Sequence, residues 1–293
     1  MHTLLYGAHM SIAGGIDKAI TAGESIGCTT IQLFTKSNRQ WASKKLSPED
    51  IALFKDTLAK SSIKVIVSHT AYLINIGSPV KDIESKSMQS LILELDRCNE
   101  LSIPYLVLHP GSYLNTDPQS CLDRITDNLN ALFKKHQGTT MILLELMSGQ
   151  GSTVCSTFEQ LAYILNNIED KNRLGFCFDT CHAWASGYDF STPKTYEQMW
   201  THLDDILSIE NLKVIHMNDS KNKRGSKVDR HEMIGKGLIG LTAFELLMND
   251  ERLFDIPKIL ETPKTSLLDD AYNMSILKGL IRPYALKKLG IKD

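Results

Sequence analysis

The chain has 293 residues, of which 42% are hydrophobic and 23% are charged, an ordinary globular composition that excludes a disordered, collagen-like or coiled-coil protein. The formal net charge of −2 argues, taken alone, against a protein that binds nucleic acid through bulk charge. No apolar run reaches the roughly 18 residues of a membrane-spanning helix, so we expect no membrane association.

The first 15 residues contain neither a basic segment nor a long apolar core, so they do not resemble a signal peptide. We therefore expect a cytoplasmic protein. The cysteines form no C-x-x-C pair, which argues against a zinc ribbon or a thioredoxin-type motif. We expect these residues to be small, reduced core side chains. They are Cys28, Cys98, Cys121, Cys155, Cys177 and Cys181.

Eight short apolar runs along the chain are predicted to be β-strands. They show little internal alternation, which is typical of parallel strands buried on both faces. In chain order they are residues 4–8, 30–34, 64–68, 105–108, 141–144, 175–178, 213–215 and 257–260.

Between these runs, apolar residues recur at three- and four-residue spacing, which predicts helices. The predicted helices are residues 15–26, 48–60, 82–101, 119–135, 157–168, 195–208 and 241–249. Ser47, followed by Pro48 and Glu49, is a typical helix start. Gly27 and Gly138 are predicted to end helices.

Eightfold alternation of strand and helix predicts a single-domain (β/α)8 TIM barrel over residues 1–293. An open, doubly wound sheet is the alternative, but the first predicted strand is not followed by a G-x-G-x-x-G turn.

The last six predicted strands each end in a residue that can bind a metal. In a barrel these ends meet at one mouth, so the metal site is predicted at the carboxyl ends of the strands. Three carboxylates crowded there would repel one another unless they were protonated or neutralised by metal. One such residue alone would more often be a cap or a turn residue, so the prediction depends on the whole series. The six residues are His69, His109, Glu145, Asp179, His216 and Glu261.

Three further residues could complete a second kind of site. His182 lies three residues after Asp179, and Asp229 and His231 share one side of an extended loop. His182, Asp229 and His231 form a plausible three-ligand zinc site with an open position. Without the other six, Asp229 and His231 would be interpreted as a solvated loop. Nine ligands suit two or three ions of zinc or manganese, and closely spaced ions are typical of phosphoryl-transfer enzymes.

Seven segments, which include all of these residues except Glu145, carry a resemblance to a known family. Two motifs are specific in combination: D-T-C-H-x-x-x-x-G, and H-x-N-D followed by D-R-H-x-x-I-G-x-G. The chain resembles the endonuclease IV family of apurinic/apyrimidinic (AP) endonucleases, which are DNA-repair enzymes of base excision repair. The matching segments are residues 7–15, 32–41, 68–79, 106–113, 178–189, 216–237 and 259–262.

The resemblance implies a TIM barrel that holds three Zn²⁺ ions per chain. It places His69, His109 and Glu145 on one ion. Glu145 bridges to a second ion, which Asp179, His216 and Glu261 also bind, and His182, Asp229 and His231 hold the third. Glu145, which positions the hydroxide, and Glu261 are the implied catalytic residues.

The implied substrate is double-stranded DNA that contains an abasic site, and the implied enzyme is a monomer. Hydrolysis of the phosphodiester on the 5′ side of the lesion would leave a 3′-hydroxyl and a 5′-deoxyribose phosphate. Family members flip the damaged nucleotide out, and Arg39 and Tyr72 match the side chains that fill the gap. Unstacking costs a few kcal/mol, less where a base is already missing. Without the resemblance we would interpret both residues as ordinary surface groups.

Two basic loop clusters, the second of which includes Arg230, are suited to phosphate contacts. Bound zinc would also change the charge, because three Zn²⁺ ions raise the formal net charge from −2 to +4. The clusters are Lys36, Arg39, Lys44 and Lys45, and Lys221, Lys223, Arg224, Lys227 and Arg230.

The chain departs from the family pattern after Glu145, where Leu146-Met147-Ser148 replaces the usual Asn-Thr-Ala. The packing of this loop and its substrate contacts are therefore open. The alternative function is a divalent-metal sugar isomerase or epimerase on a xylose-isomerase-like barrel, which would have no use for His182 and the D-R-H loop. A DNA-lesion-binding protein without activity is a third possibility, against which the complete ligand set argues.

Overall fold

A closed barrel of eight parallel strands forms the centre of the computed structural model, which describes residues 4–289. The predicted barrel is confirmed, and the open-sheet alternative is wrong. The barrel strands are β1 (Tyr6–Met10), β2 (Thr30–Leu33), β3 (Val65–His69), β4 (Tyr105–Leu108), β5 (Met141–Glu145), β6 (Leu174–Asp179), β7 (Leu212–His216) and β10 (Lys258–Leu260). A small antiparallel ribbon, β8 (Asp219–Ser220) with β9 (His231–Glu232), was not predicted.

Within residues 4–289 all seven predicted helices are present, with their starts shifted by up to three residues and their ends by at most one, and three further α-helices, at residues 180–186, 267–279 and 283–289, were missed. No helix within residues 4–289 is long and apolar enough to cross a membrane. The helices are α1 (Lys18–Ser25), α2 (Pro48–Lys60), α3 (Lys81–Leu101), α4 (Pro118–Lys135), α5 (Phe158–Asn167), α6 (Thr180–Ser186), α7 (Pro193–Leu207), α8 (Leu241–Asn249), α9 (Leu267–Gly279) and α10 (Pro283–Leu289).

Two of the three predicted helix ends are confirmed. Ser47 caps α2 by accepting a hydrogen bond from the backbone N–H of Asp50 at 3.0 Å, and Gly27 follows α1 with a φ of +82°. The prediction for Gly138 is wrong, because α4 ends at Lys135 and its cap is His136 in an extended conformation. Gly138 instead allows the chain to pass close to the side chain of Asn99, where a Cβ would collide.

One layer of side chains inside the barrel fixes where the predicted ligands lie. Six fully buried residues from β3 to β7 and β10 fill the barrel interior as a cluster of their own: Val67, Val107, Leu143, Cys177, Val214 and Ile259. Each lies two residues before one of the six predicted strand-end ligands. Because side chains alternate between the two faces of a strand, those ligands project into the same interior, one layer nearer the carboxyl-terminal mouth. All six cysteines are buried and free, as predicted.

Candidate metal centre

Glu145, the last residue of β5, lies at the centre of a cluster of histidines. Its carboxylate is completely buried, and its Oε2 lies 3.2 Å from Nε2 of His69 and 3.1 Å from Nε2 of His109. Its Oε1 lies 3.1 Å from Nδ1 of His182 and 3.2 Å from Nδ1 of His216. Burial would raise the pKa of Glu145, but the imidazoles of His109, His216 and His182 outweigh burial and hold this pKa well below its usual value. Glu145 is therefore an anion that faces two groups of donors at once.

On one side of Glu145, two more carboxylates approach His216. Nδ1 of His216 lies 3.2 Å from Oε2 of Glu261 and 3.7 Å from Oδ2 of Asp179. Burial would lower the pKa of His216, but Cys177, Glu261 and Glu145 raise it well above the usual value. This part of the site therefore favours any positive charge that can reach it.

On the other side, Asp229 lies between two histidines. Its Oδ2 lies 3.1 Å from Nε2 of His182, and its Oδ1 lies 3.3 Å from Nε2 of His231. Asp229 is partly exposed and His231 less so, which leaves this part of the cluster open to the mouth. An exposed edge is the feature that an incoming substrate atom would require.

The nine predicted ligands fall into three groups whose donor atoms lie within 4.8 Å of one another. The groups are His69, His109 and Glu145; Glu145, Asp179, His216 and Glu261; and His182, Asp229 and His231. Within residues 4–289 none of the four carboxylates forms an ion pair with lysine or arginine, so only histidines offset their charge. Nε2 of His182 and Nε2 of His231 are buried, and although each faces Asp229, neither makes a hydrogen bond of acceptable geometry within residues 4–289. Imidazole nitrogens without a hydrogen bond, beside carboxylates that no lysine or arginine neutralises, are a donor set that fits divalent metal ions.

Hydrogen bonds outside the cluster set the orientation of the imidazoles. Nδ1 of His69 lies 2.8 Å from the carbonyl oxygen of Thr70, and Nδ1 of His231 lies 3.1 Å from that of Glu261. A carbonyl can only accept, so each Nδ1 donates a proton to it, which leaves each Nε2 facing the cluster. His216 has the opposite orientation: its Nε2 lies 2.8 Å from Oε1 of Gln32, and its Nδ1 faces the carboxylates.

Several polar residues that support the cluster were missed at the level of sequence. Gln32 on β2 also donates to Oε1 of Glu261 at 2.6 Å, and His9 on β1 lies 3.7 Å from the same oxygen. Predicting the first strand as residues 4–8 excluded His9, although β1 extends to Met10. Asn218 was missed as well, and Cys181 lies within 4.8 Å of donor atoms of Asp179 and His231. Two signals were available in the sequence: Gln32 is a polar residue within a mostly apolar run, and Asn218 lies in the H-x-N-D motif.

The loop after β5, where the sequence departs from the family pattern, is well packed and supports the third donor group. Leu146 and Met147 are buried. The carbonyl oxygen of Leu146 accepts a hydrogen bond from Nδ1 of His182 at 3.0 Å, and Oε1 of Gln150 accepts one from the backbone N–H of Asp229 at 2.9 Å. The loop with Leu146 and Met147 therefore makes direct contacts with this donor group.

The predicted DNA-contacting residues are exposed around the same mouth. Tyr72 is 61% exposed, and its ring centre lies 5.8 Å from that of His109. Arg230 follows Asp229 directly and is exposed. Arg39 is exposed on the loop after β2. The structure therefore brings Tyr72 and Arg230 next to the cluster, whereas Arg39 lies on a neighbouring loop.

The basic clusters are only partly available for a ligand. Lys36 is buried, and its ammonium group lies 3.2 Å from Oε1 of Glu94. Arg224 forms an ion pair with Asp189. Lys36 therefore does not belong to an exposed phosphate-binding cluster, because a loop that looks polar in sequence packs here against a helix.

Comparison with known proteins places these features in context. A family model described as the xylose isomerase-like TIM barrel matches residues 20–279. The chain is 43% identical to the probable endonuclease 4 of Chloroflexus aggregans, over 94% of this chain and 98% of that protein. The crystal structure of endonuclease IV from Thermus thermophilus matches with a TM-score of 0.83 and 33% identity, over 94% of this chain and 98% of that one. A D-tagatose 3-epimerase-like protein matches with a TM-score of 0.70 but only 19% identity, over 97% and 98% of the two chains, which shows a common fold alone.

Proposed function

The chain belongs to the endonuclease IV family, and from that premise we propose that it is a zinc-dependent endonuclease that incises double-stranded DNA on the 5′ side of abasic sites. The observation that carries the proposal is the arrangement of nine donor side chains in three adjacent groups, two of which share Glu145. The products would be a 3′-hydroxyl and a 5′-deoxyribose phosphate. We infer further that the protein acts as a monomeric single-domain enzyme in the cytoplasm.

Zinc is favoured because each of the three groups contains at least one imidazole nitrogen, whereas magnesium prefers oxygen ligands alone. His69, His109 and Glu145 would hold one ion, and Glu145, Asp179, His216 and Glu261 would hold a second. His182, Asp229 and His231 would hold the third. When bound, zinc ions would lower the pKa of water to about 7 and act as Lewis acids on phosphate oxygens.

The side chains of this chain would then position the reaction. Glu145 presents one oxygen to each of the first two groups, so it would set the separation of the two groups and orient a nucleophilic water between them. Glu261 completes the second group, and its carboxylate is held in place by Gln32. These two carboxylates are the proposed catalytic residues. Asp229, on the partly exposed edge, would help hold the ion that faces the leaving oxygen.

Tyr72, Arg39 and Arg230 would contact the DNA. The exposed ring of Tyr72 can stack on a base next to the lesion, and the guanidinium of Arg39 can enter the space left by the missing base. Since an abasic site has already lost one stacked base, opening the duplex there costs less than elsewhere. This difference would give selectivity for the lesion without reading a base sequence.

The epimerase alternative has less support. The matching epimerase-like structure shares only 19% identity. An enzyme that needs one or two ions would also have no role for the third donor group, which consists of His182, Asp229 and His231. A metal content near three per chain, rather than one or two, would separate the two functions.

The proposal is tested with a duplex that contains a single abasic site, incubated with the protein before and after zinc is removed with a strong chelator. We expect a nick of the stated polarity that disappears on chelation and returns when zinc is added back. Glu145→Gln should abolish the nick and lower the bound zinc, because it removes the charge shared by two groups. Glu84→Gln, on α3 and outside the cluster, is the matched control. A protein that binds the duplex without ever nicking it would contradict the proposal.

A further inference from the structure

One face of α3 carries four buried polar side chains. Ser87, Ser90, Glu94 and Arg97 follow one another at three- or four-residue intervals and therefore lie on the same side of the helix. None of the four is more than 6% exposed. Buried polar groups are costly unless they are hydrogen-bonded, so this polar stripe of α3 must have partners.

Two of the four side chains bind the backbone of the β2 loop, residues 34–47. Arg97 donates from Nη1 to the carbonyl oxygen of Lys44 at 2.8 Å and from Nε to that of Thr35 at 3.0 Å. Ser90 donates to the carbonyl oxygen of Trp41 at 3.2 Å. The beginning, middle and end of this loop are thus attached to one helix.

The polar stripe also binds the β3 loop, residues 70–80. Ser87 accepts a hydrogen bond from the backbone N–H of Asn75 at 2.9 Å, and Oε1 of Glu94 accepts one from the backbone N–H of Ala71 at 3.2 Å. Oε1 of Glu94 also lies 3.2 Å from the ammonium group of Lys36, which donates to the carbonyl oxygen of Gln40 at 2.6 Å. Within the stripe, Glu94 is the residue whose contacts join the two loops.

These contacts are next to Tyr72 and Arg39, the two side chains proposed to fill the gap in the duplex, which we call the wedge residues. Tyr72 follows Ala71, and Arg39 lies between Lys36 and Gln40. Within residues 4–289 the guanidinium of Arg39 makes no hydrogen bond or ion pair. The ring of Tyr72 packs on Phe34 of the β2 loop with ring centres 5.6 Å apart. The relative position of the two wedges is therefore set by how their backbones are attached.

We propose that Glu94, through Lys36 and the backbone of Ala71, is a positioning residue that holds the β2 and β3 loops in the arrangement needed to engage an abasic site. The inference rests on the proposed function and adds to it a part of the molecule outside the metal centre. A pre-organised pair of loops loses less conformational entropy on binding, so Glu94 should affect the engagement of DNA more than the chemical step.

The key variant is the double substitution Glu94→Gln with Lys36→Met. Glu94→Gln alone leaves the Lys36 ammonium buried without its partner, which is strongly destabilising, whereas the double variant removes both charges. Gln keeps an acceptor for the backbone of Ala71 but loses the link to the β2 loop. Ser87→Ala, which removes one hydrogen bond and no charge, is a second and milder variant.

Steady-state kinetics on an abasic-site duplex provide the main measurement. We expect the double variant to retain its zinc and a kcat within about twofold of the wild type, with KM raised at least tenfold. Ser87→Ala should raise KM in the same direction by a smaller factor. With 2-aminopurine opposite the lesion, the fluorescence rise that reports unstacking should be reduced in the double variant.

A double-mutant cycle with Tyr72→Ala separates positioning from general stability. Tyr72→Ala should raise KM by a smaller factor in the double variant than in the wild type, because the wedge is already misplaced. The control, Asp250→Asn with Arg252→Met, neutralises an ion pair before β10, at the opposite end of the barrel, and should leave KM unchanged.

Four outcomes would overturn the inference. They are an unchanged KM, an equal effect of Tyr72→Ala in both backgrounds, a fall in kcat or zinc content as large as the change in KM, or the same KM rise in the control. If the wild type nicks the abasic duplex and any of these occurs, only the role of Glu94 is wrong. If the wild type does not nick it, the proposed function and this inference fail together.

Discussion

Asn218 donates a hydrogen bond from Nδ2 to Oδ2 of Asp179 over 2.7 Å, and both residues are completely buried. The same side chain accepts a hydrogen bond at Oδ1 from the backbone N–H of Glu261 at 2.8 Å. Asn218 thus fixes two carboxylate-bearing residues of one donor group relative to each other. Residues that orient ligands in this way typically change metal affinity by 10- to 100-fold when they are replaced.

We therefore expect Asn218→Ala to weaken zinc binding by about 10- to 100-fold. The affinity is measured by competition with a chromophoric chelator. Asn249→Ala is the matched control, because Asn249 makes comparable side-chain hydrogen bonds to Glu245 and Leu280 far from the cluster. Equal zinc affinity in the two variants would show that Asn218 does not support the metal site.

Asp229→Asn is expected to remove one zinc ion and leave the other two. Asp229 lies between His182 and His231, belongs to no other donor group among the described residues, and is partly exposed, so the barrel should fold normally. Elemental analysis should find about two zinc ions per chain in place of three, and incision should fall at least 100-fold. Glu232→Gln, three residues further along in β9, should keep the full metal content. A variant that still held three ions would contradict the third site.

Metal-free protein is expected to bind DNA poorly. The formal net charge is −2, and three Zn²⁺ ions would raise it to +4, with the added charge located at the barrel mouth. An undamaged duplex avoids cleavage during fluorescence anisotropy titrations at several salt concentrations. Chelation should weaken binding at least tenfold and flatten the dependence of affinity on salt, and added zinc should reverse both effects. Identical salt-dependent affinity in the two states would count against the prediction.

Lys258 makes the stability of the protein depend on pH above neutrality. Its side chain is buried in β10, where its ammonium group donates to the carbonyl oxygens of Leu253 and Ile256. Burial lowers the pKa of Lys258 to about 7, although Asp250 and Asp255 oppose the shift. Between pH 7 and about 10 the unfolded chain binds a proton at this position that the folded chain does not bind. Stability should therefore rise with pH across this window, by at most about 1.4 kcal/mol per pH unit.

Lys258→Met provides the comparison. The difference in unfolding free energy between wild type and variant, measured by urea titration from pH 7 to 9.5, should increase with pH in favour of the wild type. Taking the difference cancels the contribution of the buried cysteines to the pH dependence of stability. Their raised pKa values would lower stability as the pH rises, which is the opposite of the effect of Lys258. Parallel pH profiles for the two proteins would mean that Lys258 keeps its proton when it is buried.

The local hydrophobic pattern predicted the order of the strands and most of the helices. Both signals, apolar runs for buried strands and three- to four-residue periodicity for helices, depend only on residues that are close in sequence. The same pattern placed a potential ligand at the end of six successive strands. The pattern missed α6, which has only seven residues and overlaps the D-T-C-H motif. It also misplaced the first strand, because β1 begins two residues later than its apolar run.

The sequence by itself determined that six ligand-type residues would gather at a barrel mouth, since strand ends converge in any closed parallel barrel, and it pointed to three more in the following segments. Only the tertiary structure decided which side chains of the cluster face one another. Glu145 meets His216 across 71 positions of the chain, and Gln32 reaches Glu261 across 229. It also decided that Lys36 is buried against Glu94 rather than exposed to phosphate. The reason is physical: periodicity reports how each residue is buried within its own segment, whereas pairing across the barrel depends on the registers of separate strands and on loops that pack against distant helices.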